Sequence, residues 1–378
     1  MGAAAMEMVR AWGRVLKGIF QTRLHGHQIN ALAEVSFAMA QAGHCHSGRV
    51  AALMPSTQAT VDSRRRRIER LLSNDRLDAG GAMQWLTEAI LQPWCRAGGR
   101  PLILILDETP KPIIGSSGVA KHGDALCWMQ VSLAYRKRAL PLACVCYRTG
   151  QLPCSQPQLV LQLLQAVAGR IPRDCPVTLL ADRGLCWVKI IDFCTQAGWQ
   201  YVLRLQRQTA FRRNSRRDEP IRSVAELAPR PGSCFYGTGE LFHAAGWRNC
   251  NVVAVWERRC QEPWLLVTDL PASYSRCRGY AKRVWCEQMH RDEKSSGLNF
   301  SASHVTNAAH AHRLWLLIAL ALLLAISTGS YVLKNGLRRE LESRHRRLLS
   351  VFQLGIRWLR ECLVNLRSVP IQLHLYPP

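Results

Sequence analysis

The stretch Pro101–Asp107, PLILILD, is an apolar run that ends on an acid. A β-strand without a polar face has to be buried on both sides, as strands are in the parallel sheets of α/β proteins. A second run of this kind, Pro176–Asp182 (PVTLLAD), also ends on an aspartate. One aspartate after a strand is usually a turn or cap residue, but two such strands favour a site, because ligands bind at the carboxyl edge of these sheets. Asp107 and Asp182 are therefore predicted to lie close together.

The sequence around these two strands alternates between strand and helix patterns. The predicted elements after Asp107 are strands at Leu126–Tyr135 and Leu140–Tyr147, a helix at Ser155–Gly169, the strand at Pro176–Asp182, a helix at Trp187–Ala197 and a strand at Tyr201–Leu205. A basic turn at Arg136-Lys137-Arg138 joins the first two strands. This order of three meandering strands, helix, strand, helix and strand predicts an α/β domain.

Residues 206–264 break this alternation. They contain a basic loop at Arg207–Arg217, a segment punctuated by proline and several short strand-like runs. We interpret them as a β-rich insertion into the α/β domain. The role of Trp247 and Trp256 stays open, because tryptophan stacks on nucleic-acid bases and also fills protein cores.

The first 97 residues are predicted to be all-helical. A short apolar segment at Ser47–Met54, a break at Pro55-Ser56-Thr57 and a helix at Gln58–Leu72 are the ingredients of a helix-turn-helix, whose second helix enters the major groove of DNA. That helix carries Arg64, Arg65, Arg66 and Arg67. The alternative is an ordinary helix with a solvated basic face. The chain has 50 Lys and Arg against 26 Asp and Glu, a net charge of +24, which favours a nucleic-acid partner.

The C-terminal part contains one strongly apolar segment, Leu314–Ile326 (LWLLIALALLLAI). Its 13 residues fall short of the about 20 that a membrane-spanning helix needs, so we interpret it as a buried core helix and expect no membrane partner. A basic helix at Leu333–Arg347 and an amphipathic helix at Leu348–Leu366 are predicted to follow.

Between the insertion and this apolar segment lies Tyr280–Lys294, YAKRVWCEQMHRDEK. In a helix with about 100° per residue, one face roughly 80° wide carries a phenol, a carboxylate and three cations. These residues are Tyr280, Arg283, Glu287, Arg291 and Lys294. Such a face can be an ordinary ion-pair stripe. With Asp107 and Asp182 already predicted at one sheet edge, however, Glu287 becomes a candidate third carboxylate.

Three clustered carboxylates suit the cleavage of a phosphodiester. Carboxylate oxygens hold two Mg²⁺ ions about 4 Å apart, so that one activates the attacking hydroxyl and the other stabilises the leaving oxygen. We expect Asp107 to bridge the two ions, and Asp182 and Glu287 to complete one each. The residues expected to bind DNA phosphates beside the reacting one are Tyr280, Arg283, Arg291 and Lys294.

In these motifs the chain resembles the DDE transposases of bacterial insertion sequences, and specifically the group with the Tyr-(2)-Arg-(3)-Glu-(6)-Lys signature. The residues that match this spacing without a gap are Tyr280, Arg283, Glu287 and Lys294. The apolar strand into Asp107, the apolar strand into Asp182 followed by Arg-Gly, and a β-rich insertion before the glutamate are also similar to the family pattern. The resemblance covers about residues 100–300 directly.

For the fold, the resemblance implies a ribonuclease H-like catalytic core with a β-rich insertion, an all-α N-terminal DNA-binding domain and a helical C-terminus. The expected boundaries are 1–97 for the N-terminal domain, 98–205 and 265–330 for the two parts of the core, 206–264 for the insertion and 331–378 for the C-terminal region.

For the function, the resemblance implies Mg²⁺-dependent cleavage at element ends and strand transfer into target DNA, with Mn²⁺ as a substitute metal. The implied metal ligands are Asp107, Asp182 and Glu287. The implied partners are double-stranded DNA, as terminal inverted repeats and as target, and a second copy in a homodimer that pairs two ends. The implied location is the bacterial cytoplasm, at the nucleoid. A catalytically silent DNA-binding relative and a ribonuclease H-like nuclease without strand transfer remain as alternatives, although the three intact acids argue against the first.

The resemblance departs from the family at one position. In relatives a tryptophan beside the signature arginine stacks on a flipped base. Here that position is Val284, and Trp285 lies on the far side of the predicted helix. A hairpin intermediate is therefore left open, with Trp187 or a tryptophan of the insertion as possible substitutes.

Overall fold

The computed structural model describes residues 2–55, 59–96, 101–114, 120–172, 174–213, 220–294, 297–345, 347–373 and 375–376. Three sequence predictions fall outside these ranges. They are the break at Ser56-Thr57, the domain boundary at 97–98 and the part of the basic loop that carries Arg216 and Arg217.

Helices occupy both ends of the chain, and most strands lie between them. The α-helices of the described residues are α1 (Gly2–Phe20), α2 (Gly26–Ala42), α3 (Ser47–Leu53), α4 (Val61–Leu72), α5 (Ala79–Arg96), α6 (Gln156–Ala168), α7 (Val188–Ala197), α8 (Tyr274–Tyr280), α9 (Val284–Lys294), α10 (Ala308–Lys334) and α11 (Val351–Val364). The strands are β1 (Leu102–Ile114), β2 (Ala120–Tyr135), β3 (Arg138–Arg148), β4 (Val177–Ala181), β5 (Gln200–Arg204), β6 (Ala210–Arg212), β7 (Arg222–Ser223), β8 (Cys234–Leu241), β9 (Arg248–Val255) and β10 (Trp264–Thr268).

All the named strands belong to one mixed sheet, with the order β3-β2-β1-β4-β5-β10-β9-β8-β6-β7. The apolar strands β1 and β4 pair in parallel, as do β4 and β5, whereas β2 and β3 form an antiparallel meander with β1. The structure therefore confirms the mixed α/β class, and its sheet is consistent with a ribonuclease H-like domain. The strands predicted as an insertion extend this sheet, because β10 pairs antiparallel with β5.

The helix α10 is the most buried helix of the described chain, and it is longer than its apolar core. It begins where the Asn307 side chain accepts a hydrogen bond from the His310 amide, and it runs for 27 residues. By length and hydropathy it could cross a membrane, but 89% of its most apolar window is buried inside the protein. It packs against α2, α4, α5, β3 and α11, so it joins the N-terminal helices to the sheet.

The predicted basic helix at Leu333–Arg347 is wrong. The helix α10 ends at Lys334, and Gly336 has a φ of 69°, in the left-handed region that ends helices. A short 3₁₀ turn at Leu337–Glu340 follows. Asn335-Gly336 was thus the stop signal that the charge pattern concealed.

The C-terminal helix α11 crosses α10 at backbone contact. A Cβ atom on Gly355 would lie 1.7 Å from the Ala325 carbonyl oxygen, and one on Gly329 would lie 1.8 Å from the Val351 carbonyl oxygen. Only glycine fits at both positions of this crossing. The predicted C-terminal region is therefore packed onto the centre of the fold.

Candidate active site

The two predicted aspartates are neighbours in the sheet. The parallel register of β1 and β4 ends with Leu106 opposite Ala181, so Asp107 and Asp182 follow side by side. The prediction that Asp107 ends its strand is wrong, because β1 continues to Ile114 against β2. Asp182 does follow its strand, and its Oδ1 accepts a hydrogen bond from the Arg183 amide at 2.8 Å.

The predicted helix over Tyr280–Lys294 is interrupted. Helix α8 ends at Tyr280, a 3₁₀ turn covers Ala281–Arg283, and α9 starts at Val284. Tyr280 and Val284, which flank this 3₁₀ turn, both have right-handed helical backbone angles, so the chain runs on in the same direction from α8 into α9. Helix α9 packs over β1, β2 and β3, which brings Glu287 to the carboxyl edge where the aspartates lie.

The Arg283 guanidinium lies among the three predicted carboxylates. Its Nη1 atom is 3.0 Å from Asp107 Oδ1, and its Nη2 atom is 2.7 Å from Glu287 Oε1 and 3.7 Å from Asp182 Oδ2. The Arg283 side chain is only 12% exposed, whereas that of Glu287 is 52% exposed. The structure therefore gathers Asp107, Asp182 and Glu287 around one cation.

The groups around the Arg283 guanidinium favour its protonated, positively charged form. Burial opposes the charge of Arg283, but the neighbouring Tyr280 and three carboxylates raise its pKa. Arg204 adds a second cation, with its Nη1 atom 4.0 Å from Asp182 Oδ1. Three carboxylates in one place repel each other unless positive charge lies between them, and here a side chain supplies it.

The site fits a divalent metal by its donors and by its charge. Asp107, Asp182 and Glu287 offer carboxylate oxygens, the ligands that Mg²⁺ prefers. Their common point already holds a positive group, which shows that the surrounding oxygens favour a cation there.

The predicted phosphate-binding residues have different surroundings. Tyr280 is 3% exposed, its ring packs against Trp264, and its hydroxyl lies 3.5 Å from Asp182 Oδ1. Burial, together with the Asp182 charge, raises the pKa of Tyr280. Arg291 is exposed, and the side chain of Lys294 lies outside the described part of α9.

The four predicted DNA-binding arginines of α4 are not equally available. Arg64 donates to the Met54 carbonyl oxygen at 2.7 Å, and Arg67 pairs with Glu34 at 2.8 Å. Arg65 and Arg66 both pair with Asp62, and the Arg66 side chain is 71% exposed.

A basic groove of about 1040 Å³ runs along α4. Its lining includes Arg65, Arg66, Arg70 and the acidic Glu69 of α4, together with His304 and His310. The lining segment that carries Ser303 and His304 is tied to β1, because Lys111, four residues after Asp107, donates to Ser303 Oγ at 2.9 Å. The groove and the carboxylates are thus parts of one framework.

Sequence reasoning missed the residues behind Asp107. His290 Nε2 lies 3.0 Å from Asp107 Oδ2, and Cys286 Sγ lies 3.8 Å from the same oxygen. Gln130, the cross-strand partner of Asp107 in β2, contacts both of them. Cys286 and His290 are one helical turn apart on the inner face of α9, and this spacing was the available signal.

Comparison with known proteins gives one family. The family described as "Transposase DDE domain" matches residues 98–324, which include all three carboxylates and the Arg283 between them. No curated protein matches the chain.

Proposed function

This chain belongs to the transposase DDE domain family, and from that premise we propose that it cleaves DNA at the ends of a mobile element and transfers the freed strand into target DNA. The family makes DNA the substrate and phosphoryl transfer the chemistry. The observation that carries the proposal is the convergence of Asp107, Asp182 and Glu287 on one cation, at the edge of a parallel sheet.

Asp107, Asp182 and Glu287 are the residues that would hold divalent metal, and Mg²⁺ is the ion that we propose, with Mn²⁺ as a substitute. Bound there, the metal would supply activation of the attacking hydroxyl and stabilisation of the leaving oxygen. Tyr280 would help to position Asp182, because its hydroxyl lies 3.5 Å from Asp182 Oδ1.

Arg283 has two roles in this proposal. In the metal-free protein its single positive charge offsets part of the repulsion among the three carboxylates, which helps to keep them together. Once released from them, its guanidinium is beside the place where a DNA phosphate would be held, and a guanidinium binds phosphate through paired hydrogen bonds. Arg291 and Lys294 follow on the same helix, and we propose that they contact the adjoining phosphates.

We further propose that the groove along α4 holds the double-stranded DNA of the element end. Arg65, Arg66 and Arg70 give it the positive charge that phosphate binding needs. The assembly in this proposal is a homodimer that pairs two ends in the cytoplasm, as the family resemblance implies.

The experiment compares Asp107→Asn with the wild-type chain on linear DNA that carries the inverted repeats flanking the coding sequence. Wild type with Mg²⁺ should nick the ends and join them to a target plasmid. The variant should lose at least about 10³-fold in cleavage rate while it binds the same DNA within about threefold. Asp192→Asn is the matched control, since Asp192 lies on α7 with a half-exposed side chain and should leave the rate unchanged.

Each alternative function gives its own result. Cleaved ends without joined products would indicate a nuclease, and binding without cleavage by the wild type would indicate a silent relative. If Asp107→Asn cleaves as fast as wild type, the carboxylates are not the catalytic groups.

A further inference from the structure

Behind the carboxylate edge, three donor atoms face one another inside the fold. Asp107 Oδ2 is 3.0 Å from His290 Nε2 and 3.8 Å from Cys286 Sγ, and the sulfur and nitrogen atoms are 3.4 Å apart. Cys286 and His290 are buried, with Cys286 fully enclosed, and 13% of the Asp107 side chain is exposed. Asp107 therefore faces two environments: its Oδ1 meets Arg283, and its Oδ2 meets a thiol and an imidazole.

We propose that Asp107, Cys286 and His290 form a second metal site, which takes a borderline or soft divalent ion such as Zn²⁺ or Co²⁺. Tetrahedral zinc binds nitrogen and oxygen at about 2.0–2.1 Å and sulfur at about 2.3 Å, so its donor atoms lie about 3.3–3.7 Å apart. The three separations in the structure are within about half an ångström of that range. A shift of a few tenths of an ångström would complete the triangle.

The donor set selects the ion. Thiolate and imidazole favour Zn²⁺ and Co²⁺, whereas Mg²⁺ prefers oxygen ligands alone. The site at Arg283 has three carboxylates, and the site at Cys286 has one. The two sites are therefore expected to take different metals, with Asp107 shared between them.

Gln130 supplies a further polar group to the buried site. Its Nε2 atom is 3.0 Å from His290 Nε2 and 3.5 Å from Cys286 Sγ. Its Oε1 atom is buried and has no hydrogen-bond partner in the part of the chain that the structure describes. Turning the carboxamide over exchanges its nitrogen and oxygen, which offers an oxygen to the ion as a fourth ligand.

Metal binding at this site involves protons and no change of oxidation state. The Cys286 thiol releases its proton to solvent and binds as thiolate. His290 keeps one proton on Nδ1 and binds through the lone pair of Nε2. Asp107 binds as carboxylate through Oδ2.

The consequence for activity rests on the proposed function. An ion on Oδ2 fixes Asp107 toward the interior and takes part of its negative charge. Asp107 would then contribute less than before to holding Mg²⁺ together with Asp182 and Glu287. Zn²⁺ should therefore inhibit Mg²⁺-dependent DNA cleavage through this site.

The test is a Co²⁺ titration of the full chain after removal of bound metal with a chelator. The wild type should bind one Co²⁺ with the near-ultraviolet absorption of a cobalt–thiolate bond. Cys286→Ser should lose that absorption, and His290→Gln should weaken Co²⁺ binding at least about tenfold. Cys144→Ser is the matched control, because Cys144 and Cys146 form another close sulfur pair, at 4.0 Å, and it should leave the absorption intact.

A wild-type spectrum without the thiolate band would overturn the proposal without any variant having to fold. A band that persists in Cys286→Ser and vanishes in Cys144→Ser would also overturn it, because the other sulfur pair would then be the site. In the activity arm, Zn²⁺ should inhibit wild type and Cys144→Ser but not Cys286→Ser. The cobalt spectrum does not depend on catalysis, so a chain that fails to cleave DNA leaves this test valid, and a missing band leaves the proposed function standing.

Discussion

The replacement of Arg283 by glutamine tests whether this side chain stands in for metal. Its guanidinium makes contacts of 2.7, 3.0 and 3.7 Å with three carboxylates, and removing it takes away the one cation that contacts all three, although Arg204 remains 4.0 Å from Asp182. Loss of one partner from a buried ion pair costs about 3–5 kcal/mol. Because the Glu287 side chain is half exposed, solvent screens part of this effect. We expect Arg283→Gln to lower the free energy of unfolding in EDTA by about 2–4 kcal/mol.

Mg²⁺ should restore the free energy of unfolding that Arg283→Gln loses in EDTA. This recovery distinguishes a side chain that stands in for metal from a general packing defect, which Mg²⁺ would not repair. In the wild type a metal ion must displace the guanidinium before it can bind, whereas Arg283→Gln does not need this displacement. The stabilisation by Mg²⁺, measured by urea unfolding with and without the ion, should thus be larger in the variant than in wild type. Arg291→Gln is the control, since Arg291 is exposed on the same helix. Equal stabilisation of the variant and the wild type by Mg²⁺, or a variant as stable as wild type in EDTA, would refute the reasoning.

Three further predictions concern stability and DNA binding. Burial lowers the pKa of Lys111 to about 8, so the unfolded chain binds this proton more tightly between pH 8 and 10.5, and Lys111 by itself contributes a rise in the free energy of unfolding across that range. Buried thiols with raised pKa values, such as Cys194 and Cys277, contribute a fall above about pH 9, so the prediction concerns the difference between wild type and Lys111→Met. That difference, measured by urea unfolding at pH 7 to 10.5, should increase in favour of wild type from pH 8 upward, and a difference that stays constant would contradict this assignment. Gly355→Ala should cost about 3 kcal/mol or more, because its Cβ would overlap the Ala325 carbonyl oxygen, and an unchanged melting temperature would contradict the crossing. Arg66→Gln should make the negative slope of log K against log salt for DNA binding less steep by about 0.9. Arg64→Gln should leave that slope unchanged, because the Arg64 side chain is hydrogen-bonded to the Met54 carbonyl oxygen. Equal effects of the two variants would contradict the groove assignment.

The strands and the carboxylate positions were predictable because they depend on local pattern. Continuous apolar runs identified β1 and β4, and both ran to an aspartate whose neighbour in the parallel register is the other aspartate. Glu287 could be placed with them only because helical spacing set it beside Arg283. Each of these inferences depends only on the spacing of residues within a single strand or helix.

What escaped prediction depends on contacts between elements. The sequence analysis assigned the long side chain of Arg283 to DNA, whereas in the structure it contacts the carboxylates. These contacts could not be predicted because Asp107, Asp182 and Glu287 come from three separate segments of the chain. The cluster behind Asp107 joins β1, β2 and α9, so no single stretch reveals it. The pairing of β10 with β5 is equally non-local, and the sequence indicated an insertion without indicating that it would widen the same sheet.

Helix α10 contacts both the N-terminal helices and the sheet. Because α4 and strand β3 of the sheet both pack on α10, the distance between α4 and the carboxylate edge of the sheet is set by the fold. In the proposed complex, the protein therefore fixes the number of base pairs between the DNA bound at α4 and the bond that is cleaved at Asp107. One added base pair moves that bond by about 3.4 Å and turns it by about 35° around the duplex. Selection on the element ends should therefore preserve spacing as strictly as it preserves sequence.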